Sequence, residues 1–165
     1  VTKTVNLDQP SSQRDLYERD FYSWTRAQVR ALKKLAATRP NLELDLPHLI
    51  EEVEDMGREQ LDKLASAYRV LLLHLLKWRY QPEARSASWR GSIVEHRRRA
   101  LRLIQRNPGM KPKRPRLFAE AYEDARLQAA AETGLPLERF PETSPFTLEQ
   151  ALDENYWPEA AEEGR

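Results

Sequence analysis

One apolar stripe constrains this chain more than any other feature. Leu46, Leu49, Ile50, Val53 and Met56 recur at three- and four-residue spacing, and the phase continues through Gly57 into Leu61, Leu64, Tyr68, Leu71 and Leu75. That period is the signature of a helix buried along one face. The unbroken phase predicts a single long helix over about 46–79, bent if anywhere at Gly57, where glycine costs roughly 1 kcal/mol in a helix interior. Asp45 is placed to cap its start, and Pro47 sits in the first turn, where a missing amide hydrogen does no harm.

The other elements follow from the same reading. Residues 1–14 are polar and lack periodicity, predicting a loose N-terminal arm. A first helix is expected over about 15–38, with Phe21, Trp24, Gln28, Ala31 and Leu35 as its stripe, Leu32 widening it and Pro40 ending it. Gln81-Pro82 disfavours continued helix and predicts a turn. The next helix, capped by Ser86 or Ser88, has Trp89, Ile93, Ala100 and Ile104 inside with Leu101 and Leu103, so His96 or Arg97 must point inward or lie at an edge. Asn107-Pro108-Gly109 stops it, and 111–115 is too proline-rich for helix. A further helix over about 116–133 buries Phe118, Ala121, Tyr122 and Ala125 and stops at Gly134. The remainder is loop, with one short helix near 147–153. The fold class is all-α: a helical bundle of about four principal helices, one long and central, with an extended C-terminal segment. It forms a single helical domain over 15–158 and leaves a tail over 159–165.

Composition narrows the function. The 165 residues are 40% apolar and 32% charged, the balance of a globular chain long enough to bury a core. Absence of cysteine removes disulfides, thiolate zinc sites and cysteine nucleophiles together. With no apolar run near ~18 residues and no basic-then-apolar leader, neither a membrane span nor a signal peptide is expected, and a soluble cytoplasmic protein is the default.

Net charge is only +1, yet it is unevenly spread: residues 96–116 hold nine Lys or Arg and no acid, whereas 117–165 hold twelve acids against three arginines. The basic block either meets an external polyanion or is neutralised by the acidic C-terminal part folding back, the reading that helical proteins favour more often. Arg97, Arg98, Arg99, Arg102 and Arg106 wrap the basic helix, and Lys111, Lys113, Arg114 and Arg116 extend its charge, as phosphate contacts require.

Two further groups carry chemistry. At the exit of the long helix, His74, Lys77, Trp78, Gln81, Arg85 and Trp89 gather polar and aromatic groups at the edge of the core, either as a clasp that satisfies the helix end or as a ligand site. A buried imidazole there needs a hydrogen-bond partner. Near the start of the helix, Glu51, Glu54 and Asp55 share one face. They either solvate it and complement the helix dipole, or bind a metal with His74 or His96. No nucleophile motif, phosphate loop, dinucleotide fingerprint or HExxH is present.

The segments DFYSW at 20–24, DLPHLIEEVEDMG at 45–57, HLLKWRYQP at 74–82, SW at 88–89, ETGL at 132–135 and YWP at 156–158 together resemble a bacterial family catalogued as domain of unknown function twenty-nine. The resemblance spans about 15–158 and implies an almost wholly helical bacterial protein. It supplies no activity, substrate or catalytic residue, and residues 109–116 depart from the family's pattern. The expected function is a non-catalytic module whose partner is a protein or a nucleic acid, with no cofactor. The alternative is a metal-dependent hydrolase or nuclease built on the long helix's carboxylates.

Overall fold

The structure, a computed structural model, describes residues 11–39 and 41–161 and is all-α. Its helices are α1 (Ser11–Arg19), α2 (Phe21–Thr38), α3 (Leu46–Tyr80), α4 (Ala87–Arg106), α5 (Arg114–Thr133) and α6 (Leu148–Leu152), with short 3-10 turns at Pro82–Ala84, Pro108–Lys113 and Leu137–Arg139. Four of them are principal and α3, at 35 residues, is the long one. The chain sorts into two compact units. One runs up to Leu61 and includes Gln105–Lys111; the other comprises Asp62–Ile104 and the residues from Pro112 on.

In the first unit the predicted single helix over 15–38 is two helices. Asp20 breaks it: its carboxylate accepts from Ser23 N at 3.1 Å and Ser23 Oγ at 2.7 Å, capping α2. Residues 11–14, assigned to the loose arm, belong to α1; the rest of that arm and the Pro40 stop lie outside the described residues. The buried stripe of α2 is Tyr22, Thr25 and Val29, one position on from the predicted one, and Ala31 is exposed. Phe21 and Trp24 instead pack with Tyr17 of α1, ring centres 4.8–5.7 Å apart.

Helix α3 continues unbroken through Gly57. A Cβ there would stand 2.6 Å from Thr25 Oγ1, so glycine lets α2 approach. Asp45 Oδ1 accepts from His48 N at 3.4 Å, the expected cap. Leu46 is buried, but Leu49 and Met56 of the predicted stripe are exposed. The unit closes on residues just past the end of α4: Asn107 Oδ1 accepts from Tyr22 N at 3.0 Å, and Gly109 N donates to Asp20 Oδ2 at 2.8 Å.

The second unit holds the larger core. Leu64, Tyr68, Leu71, Leu72, Leu75 and Leu76 of α3 are wholly buried, with Ile93 and Ala100 of α4, Ala121, Tyr122, Ala125 and Ala129 of α5, and Phe140, Phe146 and Ala151. Ser86 Oγ accepts from Trp89 N at 3.2 Å and so caps α4. Leu101, assigned inside, faces solvent, and Arg97 is the inward residue of the His96-Arg97 pair. The proline-rich stretch expected to be non-helical is a 3-10 turn running into α5, whose Pro115 occupies the first turn, where its missing amide is harmless. Gly134, at φ 71°, ends α5 in the left-handed conformation. A capping box between Thr147 and Gln150 starts α6. Of the predicted tail, Ala161 N donates to Arg79 O at 2.9 Å, and residues 162–165 lie outside the described ones.

Candidate functional site

The six junction residues all belong to the second unit, and its own groups hold them. Lys77, 9% exposed, donates to Glu132 Oε2 at 2.7 Å and stands 4.6 Å over the Trp89 ring. That hydrogen bond holds the Glu132 carboxyl below its usual range. His74, half-buried, donates Nδ1–H to Val70 O at 2.8 Å. Burial depresses its pKa and the charge of Lys77 adds to this, while the bond to the Val70 carbonyl opposes it. Gln81 Nε2 donates to Thr133 O at 3.3 Å, satisfying a carbonyl at the end of α5. Arg85 Nε donates to Trp78 O at 2.9 Å, with its guanidinium 4.9 Å over the Trp78 ring. These contacts tie the end of α3 to α4 and to the end of α5.

The proposed metal ligands are dispersed among other partners. Glu54 pairs with Lys33 at 2.6 Å and Asp55 with Arg58 at 3.1 Å, while Glu51 is exposed. His96, like His74, donates Nδ1–H to the carbonyl four residues earlier, here Ser92 at 2.9 Å. Among the described residues no group of three or more His, Asp or Glu is arranged to hold a metal ion.

The basic helix is divided by burial. Arg97, counted among the polyanion contacts, is 1% exposed; its Nε donates to Ala151 O at 2.8 Å and a terminal nitrogen to Tyr156 O at 2.5 Å. Desolvation lowers its pKa, with Asp153 and Glu154 opposing from a distance. Arg98 meets Glu154 at 3.6 Å, both side chains well exposed. Arg99 and Arg102 are exposed and form no ion pair among the described residues, and the same holds for Arg106 in the first unit. Arg116 pairs within its own helix with Glu120 at 2.7 Å. Among the described residues, an ion pair with a C-terminal acid therefore forms only at Arg98 of Arg97, Arg98, Arg99, Arg102 and Arg106.

Sequence reasoning missed Arg90, which is exposed and lies 5.2 Å over the Trp157 ring. A groove of about 520 Å³ runs along this outward side of α4, lined by Arg90, Val94, Arg98 and Arg102 with Glu95 as its one acid, and passing over Ala87 and Gly91. A smaller cavity of about 270 Å³ adjoins it, lined by Arg90, Arg97, Arg98, Glu154, Asn155 and Trp157. The helical spacing of residues 90, 94, 98 and 102 was available as a signal; the position of Trp157 was not. Another groove, of about 440 Å³ over Phe118, Tyr122 and Phe146, is rimmed by Glu123, Glu142 and Glu149 and has the opposite charge.

No helix of the described residues is long and apolar enough to cross a membrane. No curated protein matches the chain. The crystal structure of an alpha-helical protein of unknown function from Rhodospirillum rubrum ATCC 11170 is similar, with 29% identity and a TM-score of 0.68 over 85% of this chain and 90% of that one. Residues 16–157 match the family described as Domain of unknown function DUF29, and the chain belongs to that family.

Proposed function

We infer that this domain is a non-catalytic interaction module that binds a polyanion, nucleic acid above all, through the outward side of α4. The observation that supports this is the state of its arginines: among the described residues Arg90, Arg99 and Arg102 are exposed and form no ion pair, Arg98 meets a carboxylate only at 3.6 Å, and Glu95 is the one acid lining the groove. Exposed guanidinium groups at helical spacing release counterions from a phosphate backbone and read no sequence. Gly91 and Val94 between them leave the groove shallow enough for a backbone to lie against the helix. A bacterial cytoplasmic setting belongs to the same proposal: the chain has no cysteine, and no helix of the described residues is long and apolar enough to cross a membrane. The metal-dependent hydrolase reading has no ligand cluster to rest on among the described residues.

Fluorescence anisotropy with unrelated oligonucleotides between about 50 and 200 mM salt tests this. Binding should weaken steeply with salt and be indifferent to sequence. Neutralising Arg98, Arg99 and Arg102 to glutamine should flatten the salt slope by about one unit per arginine. A parent protein that is not retained on a polyanion matrix at low salt ends the proposal.

A further inference from the structure

Arg97 has an unusual environment for a buried guanidinium. At 1% exposure it meets no carboxylate within ion-pair distance among the described residues, Asp153 and Glu154 acting on it only from farther off; two backbone carbonyls and the Trp157 ring, 5.3 Å from Cζ, surround it. Its remaining terminal nitrogen is buried with no hydrogen-bond partner. A buried charge lacking a counter-ion is costly, and burial is normally offset by a fixed pair.

The cavity beside it has the complementary chemistry. Arg90 and Arg98 join Arg97 in its lining, Asn155 adds an amide, and Glu154 is the single acid. Three cations against one carboxylate leave a net excess of two positive charges. That matches a dianionic phosphomonoester better than a monoanionic carboxylate or a phosphodiester. Guanidinium groups converging from one helix suit an oxyanion with three free oxygens. At about 270 Å³ the space falls just below the range of whole-ligand pockets, about 300–1,000 Å³, and so fits a phosphate and its nearest atoms. Glu154 and Arg98, well exposed and 3.6 Å apart, are a loose pair that an incoming anion can displace.

We propose that this cavity is a phosphate-binding pocket that takes a phosphomonoester group, with Arg97 as its buried anchor, Arg90 and Arg98 as its exposed arms and Glu154 as the internal competitor. It rests on the α4 reading in that the phosphate of a strand end would enter beside the helix's basic side.

The test follows the Trp157 indole signal by NMR in the full chain, titrating inorganic phosphate against chloride at matched ionic strength. Saturable perturbation by phosphate is expected. Arg90→Gln, at an exposed position that leaves the fold intact, should weaken it by about tenfold, and Glu154→Gln should strengthen it. A merely structural Arg97 predicts neither change. No saturable response to phosphate, or a response that both variants leave unaltered, overturns the pocket. An oligonucleotide that binds more tightly with a 5′-phosphate than without identifies a strand end as the source. A nucleoside monophosphate that binds while the 5′-phosphate makes no difference supports the pocket and assigns it to free phosphate esters. Phosphate binding without salt-dependent oligonucleotide binding leaves the pocket standing and removes the α4 surface; the converse removes the pocket alone.

Discussion

Lys77 Nζ lies 2.7 Å from Glu132 Oε2 and 4.6 Å from the centre of the Trp89 ring, so one ammonium joins α3, α5 and α4. The two partners are buried unequally: the Lys77 side chain is 11% exposed, that of Glu132 38%. Removing each therefore has a different effect. Glu132→Ala strands a buried cation and should cost about 1–3 kcal/mol. Lys77→Met leaves a carboxylate that water reaches and keeps an apolar stem against Trp89, so urea midpoints should move much less. A larger loss in Lys77→Met than in Glu132→Ala would show that the cation over the Trp89 ring, rather than the ion pair, holds the junction.

Two glycines in helix interiors should respond in opposite directions to the same substitution. Gly57→Ala places a methyl 2.6 Å from Thr25 Oγ1, which donates to Tyr22 O at 2.8 Å and cannot turn away without losing that bond. The variant should be destabilised despite its better helix propensity, and Thr25→Ala in the same chain should relieve part of the loss. Gly91→Ala meets nothing within 4 Å and should stabilise by about 0.5–1 kcal/mol. Calorimetric melting of the variants reads both signs.

The buried stretch of α3 sets the stability of the second unit. Leu71→Ala and Leu75→Ala, both at fully buried positions, should each cost about 2–5 kcal/mol. Glu54→Ala, in an exposed pair with Lys33, should leave the urea curve nearly in place. Leucine variants that unfold like the parent would contradict the packing of this helix.

Acid should weaken the fold in two windows. His74 titrates below its usual value of about 6.5 in the folded chain. The unfolded chain therefore binds the proton first, and stability present above that value is lost as pH falls through the folded pKa. Glu132, also depressed, extends the loss to lower pH, below the usual carboxylate value. His48, raised chiefly by its hydrogen bond to Asp45, acts in the opposite sense and loses its contribution as pH rises. The decisive measurement is thus the difference between parent and His74→Gln. The variant should lose less stability between about pH 7 and pH 5, and parallel curves would assign the acid response elsewhere.

What could be read from the residues was whatever a single helix decides alone. The span of α3, the Ser86 cap, the stop at Gly134 and the short α6 all rest on spacing or on capping chemistry within a few residues. The break at Asp20 was invisible because Phe21 and Trp24 continue the helical period across it, and Gly109, which also uses that carboxylate, is 89 positions away. The stripe of α2 was misplaced because one of its buried members is Thr25, a polar residue that satisfies itself on Tyr22 O. At the junction, spacing identified the polar groups, but their partners Glu132 and Thr133 come from another helix. Arg97 shows the same limit: the stripe of α4 required His96 or Arg97 to turn inward or lie at an edge without choosing between them, and the backbone of residues 151 and 156, far along the chain, takes Arg97 inside.

The bonds from Tyr22 N to Asn107 Oδ1 and from Gly109 N to Asp20 Oδ2 span 85 and 89 residues. During synthesis the N-terminal helices emerge first, yet their carboxylate and amide find these partners only after α3 and α4 have left the ribosome. Closing so wide a loop is slow relative to local helix formation. A segment made before α3 and α4 is therefore completed after them, and a nascent chain arrested soon after Leu61 would carry α1 and α2 with Tyr22 and Asp20 still lacking Asn107 and Gly109, open to proteases and chaperones until that distant part of the sequence arrives.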